Sequence, residues 1–182
     1  METNIYQAIQ GIEPEMEILK RQHIVEKYGY NKGVNERKSS KYFGMLWEAF
    51  AWAAILGFYH DKRKPLQGEP SKAFKYSTIA RNGPDILDSL ILFVVAKEGY
   101  GILKDSGKVN KVIEEYANGG FEIIFTILKE KGSDYFGDES NFLQEILDRK
   151  PIIEKEKNKL QPSKNTEIES IIDDGEGGNF KF

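Results

Sequence analysis

Lys41-Tyr-Phe-Gly-Met-Leu-Trp-Glu-Ala-Phe-Ala-Trp-Ala-Ala-Ile-Leu-Gly-Phe-Tyr-His60 is apolar on every side. Between Tyr42 and Tyr59 the one charged residue is Glu48, and both tryptophans of the chain, Trp47 and Trp52, fall inside the stretch. A helix that is hydrophobic all round is either the central helix of a bundle or a membrane span. The bundle reading wins. The segment is barely long enough to cross a bilayer, Glu48 near its middle would cost about 3 kcal/mol there, and no second span of that length partners it. Ala49, Ala51, Ala53 and Ala54 leave room for neighbouring helices to approach closely. The expected fold is therefore all-α, a compact helical bundle around this central helix at about 41–60.

Working outward, the segment from Asn4 to Tyr28 carries Ile5, Ala8, Ile9, Ile12, Met16, Leu19, His23 and Ile24 at spacings of three and four. That period predicts amphipathic helix, with Pro14 opening a second helix after a break. Gly29-Tyr-Asn-Lys-Gly33 closes it, and Ser39 or Ser40 offers an N-cap for the central helix. Beyond that helix, His60-Asp-Lys-Arg-Lys-Pro-Leu-Gln-Gly-Glu-Pro70 mixes cations with turn formers and reads as a surface loop of functional length. Phe74 to Ala80 fits a short strand or a helical turn, with helix or irregular structure favoured. Pro84 suits a first helical position and Asp85 its first turn; the helix they open runs to about Lys97, with Gly99 as its stop.

Val109, Val112, Ile113, Tyr116, Phe121, Ile124, Phe125 and Leu128 sustain a helical period from Lys108 to Lys131. It runs straight through Asn118-Gly119-Gly120. Two glycines inside a helix cost about 1 kcal/mol each relative to alanine, so the helix breaks there, or a neighbouring backbone packs too closely for side chains. Close packing or a kink outweighs ligand contact. Phe142, Leu143, Ile146 and Leu147 predict a last short amphipathic helix before Pro151. Residues 1–150 are thus read as the helical domain, and 151–182 as a charged linker followed by a flexible tail. In that tail Ile168, Ile171, Ile172, Phe180 and Phe182 alternate with acidic residues, a pattern that suits a peptide folding on a partner.

Composition sets outer limits. The 182 residues carry a net charge of −3, with 30% charged and 40% hydrophobic residues, which is ordinary globular make-up. Zero cysteines remove disulfides, thiol nucleophiles and cysteine-based metal sites. With no basic-then-apolar leader after Met1, the expected location is cytoplasmic. An acidic balance argues against a surface coated with nucleic acid.

Candidate chemistry is sparse. Glu48, Asp85, Asp88, Glu114 and Glu115 lie on predicted helices, where buried carboxylates serve acid–base work. The simpler reading is structural, with Glu48 paired to a cation such as Arg81. His23 and His60 are not at metal-ligand spacing, and His60 is read as closing the central helix. Gly99-Tyr-Gly101 and Gly175-Glu-Gly-Gly178 have no phosphate-loop context. No cofactor or metal is expected. Lys62, Arg63 and Lys64 form the one basic run able to neutralise phosphates. A solvated loop is the competing reading, and the run contains no aromatic residue for base stacking.

Three pieces, in order, carry a resemblance. They are Trp47-Glu-Ala-Phe-Ala-Trp-Ala-Ala-Ile-Leu-Gly-Phe58 followed by Arg63-Lys-Pro-Leu66, then Ala80-Arg-Asn-Gly83 with its apolar helix, then Glu115-Tyr-Ala-Asn-Gly-Gly-Phe-Glu-Ile-Ile124. Together, over roughly residues 40 to 130, they resemble the accessory proteins associated with Dnd systems, found beside DNA phosphorothioate modification and restriction genes in bacterial anti-phage defence. The resemblance implies a part in a multi-protein DNA-modification or restriction system and brings no catalytic assignment with it. Arg63, Lys64 and Pro65, Arg81, Asn82 and Gly83, and Tyr116 to Gly120 are the matching positions.

The expectation is a non-catalytic accessory subunit that docks on a larger protein of such a system, without membrane contact. Asn118, Gly119 and Gly120 and the tail residues Ile168, Ile171, Ile172, Phe180 and Phe182 are its candidate contacts. Direct DNA binding through Lys62, Arg63, Lys64 and Arg81 is the alternative, and an unrecognised nuclease or hydrolase a lesser one. A homo-oligomer built on the Asn118–Gly120 face is a further option.

Overall fold

The computed structural model describes residues 4–25, 43–72 and 74–131. Helix α1 (Ile5–Gln10) is followed by a three-residue strand β1 (Glu15–Glu17), then helix α2 (Ile18–Lys20), which passes into a π-helical turn, Arg21–Val25. Helix α3 spans Leu46–Tyr59, strand β2 Pro70–Lys72, α4 Tyr76–Asn82 and α5 Pro84–Glu98. A 3₁₀ turn, Tyr100–Lys104, leads into the long helix α6, Ser106–Lys131. The fold is the expected helical one, with the antiparallel pair β1–β2 as its single sheet among the described residues.

That sheet departs from the sequence reading. Pro14 does not open a helix; it leads into β1, whose Glu15, Met16 and Glu17 pair with Lys72, Ser71 and Pro70. Neither Glu-Met-Glu nor Pro-Ser-Lys has strand propensity, and Pro70 is tolerated because the two-stranded pair has only edges. Of Phe74 to Ala80, the first two residues are irregular and Tyr76 starts α4; Pro84 stands at the head of α5, and Gly99, at φ 80°, ends it.

Helix α3 starts at Leu46, five residues after the predicted boundary. Glu48 explains the start: its carboxylate accepts the Gly44 N–H at 2.6 Å, so the charge closes the first turn rather than pairing with Arg81, which is exposed. Ser39 and Ser40 lie outside the described residues. At the other end His60 is the C-cap, as read, its N–H donating to the Leu56 carbonyl at 3.0 Å. Asp61, at φ 50°, then turns the chain out of the helix.

Helices α3 and α6 pack antiparallel, and the crossing is set by glycine. A Cβ on Gly120 would stand 1.8 Å from the Ala53 carbonyl oxygen, and one on Gly57 would stand 1.9 Å from that of Tyr116. Backbone therefore lies on backbone, which any side chain would forbid. The close-packing reading of Gly119-Gly120 is what the fold uses, and α6 continues through them unbroken. Around this crossing Phe50, Ala53, Ile113, Phe121 and Ile124 are fully buried, joined by Leu87 and Leu90 from α5. Residues 112–121 of α6 are buried on every side of the helix, whereas α3 leaves Trp52 and Tyr59 44% and 41% exposed.

Candidate functional site

The chemistry-bearing residues converge where the segment Asp61–Gln67 crosses the middle of α6. On that helix Glu115, Asn118 and Glu122 are spaced three and four apart and so share one face. The segment's backbone reaches the helix itself. Lys64 N–H donates to Glu115 O at 2.9 Å, while Lys62 N–H ties the start of the segment back to α3, at Gly57 O, at 2.8 Å. A Cβ on Gly119 would lie 1.8 Å from the Lys62 carbonyl oxygen, so this approach too depends on a missing side chain.

The side chains then fasten the segment. Arg63 donates through Nε to Glu115 at 2.5 Å and through Nη1 to Glu98 at 2.5 Å, linking α6 to the end of α5. Lys64 and Lys62 both meet Glu122, at 2.6 and 3.4 Å. Asn118, 4% exposed, donates to the carbonyl of Pro65 at 2.9 Å, to that of Lys64 at 3.3 Å and to Glu17 at 3.1 Å. Its side-chain oxygen accepts from Lys20, which also pairs with Glu17 at 3.2 Å. Tyr116 stacks on Phe58 with ring centroids 4.0 Å apart and donates its hydroxyl to Asp61 at 3.1 Å. Burial, then the Asp61 charge, pushes the Tyr116 pKa up to about 12, so the phenol stays a donor across the physiological range. Burial works against the Glu122 charge, but Lys64, Lys20 and Lys62 outweigh it and hold its pKa below the ordinary carboxylate value.

Two clefts border this arrangement. One, of about 370 Å³, is lined by Glu17, Lys20, Lys64, Asn118, Glu122 and Phe125. Its cations and anions are matched against each other, so it presents no net field. The other, of about 470 Å³, lies between Glu13, Glu15, Lys72, Asn110 and Glu114. Glu114 accepts the Glu15 N–H at 2.7 Å and an Asn110 N–H at 2.9 Å. Burial raises its pKa above the ordinary 4.5, and the charges of Glu15 and Glu115 add to the rise. A carboxyl whose pKa is raised by folding contributes stability that is complete below its unfolded pKa and is lost as pH rises through the folded value. Glu114→Gln keeps an acceptor for the Glu15 N–H and removes the charge. The variant should match the wild type near pH 4 and unfold at a higher temperature near pH 7.5, by a few degrees. Thermal unfolding followed by circular dichroism across that range checks it, and a variant that is less stable at pH 7.5 than at pH 4, relative to the wild type, would contradict it.

The predicted site residues are thus distributed unevenly. Lys62, Arg63 and Lys64 do sit together, but facing carboxylates of the same chain. Arg81 stands apart from them on α4 and is exposed. Asn118, Gly119 and Gly120, expected as a contact face, are buried, the first two under the chain's own 61–67 segment and Gly120 against Ala53 of α3. Ile168, Ile171, Ile172, Phe180 and Phe182, and the helix read at Phe142–Leu147, lie outside the described residues. Sequence reasoning missed Glu17, Lys20 and Glu122 as partners. Glu122 carries a signal, since it continues the three-and-four spacing of Glu115 and Asn118 within an apolar helix; Glu17 and Lys20 carry none, because a cross-chain contact has no local period.

The family described as DNA sulphur modification system-associated protein 4 matches residues 30–163, most of the chain. The chain belongs to that family. Neither the curated proteins nor the solved structures contain a match to it. The DNA sulphur modification-associated match is wider than the three resembling pieces and passes the boundary drawn at residue 150. It leaves out α1, β1 and α2, and it leaves out the tail from residue 164. Within it the three pieces meet. Arg63 joins Glu115, and a Cβ at Gly83 would come within 3.2 Å of the Trp47 ring, so the pieces pack into one scaffold. In this member of the family, elements from outside the match complete the site, through Glu17 and Lys20.

No helix among the described residues is long and apolar enough to cross a membrane, and no group of three or more histidine, aspartate or glutamate side chains among them is placed to hold a metal ion.

Proposed function

We propose that the protein is a non-catalytic accessory subunit of a bacterial DNA phosphorothioate modification or restriction system and that it acts by docking on a larger protein of that system. The observation that carries this reading is the outer row of α5. Leu92 is 64% exposed and Tyr100, two residues past the helix end, is 81% exposed, with Phe93 and Ala96 exposed between them. Large apolar side chains left together on one face of a charged protein mark interaction surfaces. Membership of a family named for its association with a DNA sulphur modification system gives the partner its class.

The competing reading, direct DNA contact through Lys62, Arg63 and Lys64, draws less support, because those cations already neutralise Glu115, Glu98 and Glu122. Releasing them to phosphate would leave a carboxylate on α6 unpaired.

The test is co-purification with the proteins of the system, using the full chain and a Leu92→Glu, Tyr100→Ser double variant. Both positions are exposed, so the variant should fold normally. Docking through α5 predicts at least a tenfold drop in recovered partner. Undiminished recovery would overturn the α5 surface, and removal of residues 164–182 in the same experiment reports whether the acidic tail is the anchor instead.

A further inference from the structure

The outer face of α3 poses a separate question. Trp52, Ile55 and Tyr59 lie along it at intervals of three and four, the spacing of a seam against which another helix packs, and exposed Met45 stands just before the helix start. Trp52 and Tyr59 are more than two-fifths exposed and Ile55 is half-buried, although this helix has the composition of one enclosed on every side. No described element covers the seam fully.

We infer that the seam is the docking site of the chain's own segment Phe142–Leu147. Where the chain leaves the described structure favours this occupant. Because Gly57 meets Tyr116 and Ala53 meets Gly120, α3 and α6 are antiparallel, and the last residue of α6, Lys131, lies beyond the N-terminal end of α3. From there Trp52 is about 15 Å away along the helix axis, at 1.5 Å per residue. The ten residues 132–141 span up to about 33 Å, enough to bring Phe142 round to the seam. Phe142, Leu143, Ile146 and Leu147 have the spacing of one apolar helical face, and a segment of that length covers about 10 Å, close to the rise from Trp52 to Tyr59. The family match spans both α3 and this segment and ends at residue 163, short of the tail. With the seam covered from within, the α5 row is the apolar surface left for a partner.

The full-length chain with Trp47→Phe isolates Trp52 as its one tryptophan. Leu143→Glu with Ile146→Glu in that background should shift its emission to the red and raise acrylamide quenching about threefold. Unchanged emission and quenching would overturn the inference. A second measurement, which adds no charge, uses the absence of native cysteine. Tyr59→Cys is paired in turn with cysteine at positions 143, 146 and 147, and oxidised at low concentration. A disulfide within one chain, formed with at least one of the three, supports the docking. Disulfides found only between chains assign the seam to a second copy and overturn it, as does the absence of any disulfide.

Discussion

Gly120→Ala is expected to destabilise the protein by about 3 kcal/mol or more, lowering the melting temperature by about 10 °C or abolishing folding. The sign is the informative part. Within a helix, alanine is favoured over glycine by about 1 kcal/mol, so a Gly120 that was merely helical would gain stability from the change. The added Cβ would instead stand 1.8 Å from the Ala53 carbonyl oxygen, a backbone atom in the middle of α3 that moves only if the helices separate. Gly57→Ala should behave alike, since its Cβ meets the Tyr116 carbonyl. Gly11 is the control. It caps α1 at φ −76°, with nothing within 4 Å of a Cβ, and Gly11→Ala should stabilise by a few tenths of a kcal/mol to about 1 kcal/mol. Urea unfolding of the three variants checks both signs together. A stabilising Gly120→Ala would mean that the α3–α6 crossing is looser than described.

Asn118→Ala is expected to cost about 2–3 kcal/mol. Asn118 holds the 61–67 segment through backbone carbonyls, at Pro65 and Lys64, while also meeting Glu17 and Lys20. Truncation strands these groups in a part-buried place, and each unsatisfied group there costs of order 1 kcal/mol or more. The ion pairs should matter less. Lys62 and Lys64 are half-exposed, and Lys64→Ala should cost under about 1 kcal/mol. Arg63→Ala falls between, because its partner Glu115 is nearly enclosed. Hydrogen exchange is the sharper readout: Asn118→Ala should speed exchange of the Lys64 amide, which is bonded to Glu115 O, far more than that of α5. Equal effects at both places would mean that Asn118 supports the whole fold rather than the segment.

How much of this was legible in the sequence follows from which interactions are local. Helix α3 was readable from an unbroken apolar run, α6 from an apolar period of three and four, and α5 from its apolar residues between Pro84 and Gly99, all written in consecutive residues. The glycines of the Asn118-Gly119-Gly120 string gave a correct physical reading, close backbone approach, from their cost in a helix alone. What they approach was not legible, since Ala53 and Lys62 are more than fifty residues away. The same gap hid the strands. Glu15–Glu17 and Pro70–Lys72 have no strand character until the fold sets them side by side. The cations of the loop were visible as charges, but a sequence does not say whether Arg63 faces phosphate or Glu115. Glu48 shows the reverse case: its partner was four residues off, the Gly44 N–H, and a search for a distant cation passed over it.

The role assigned to the protein stands or falls with one measurement, the native mass of what elutes when the full-length chain is purified by affinity from cells that also express the DNA sulphur modification genes. The account predicts a stable complex containing this chain and a larger protein of that system. A lone monomer, or copies of this chain alone, would contradict it.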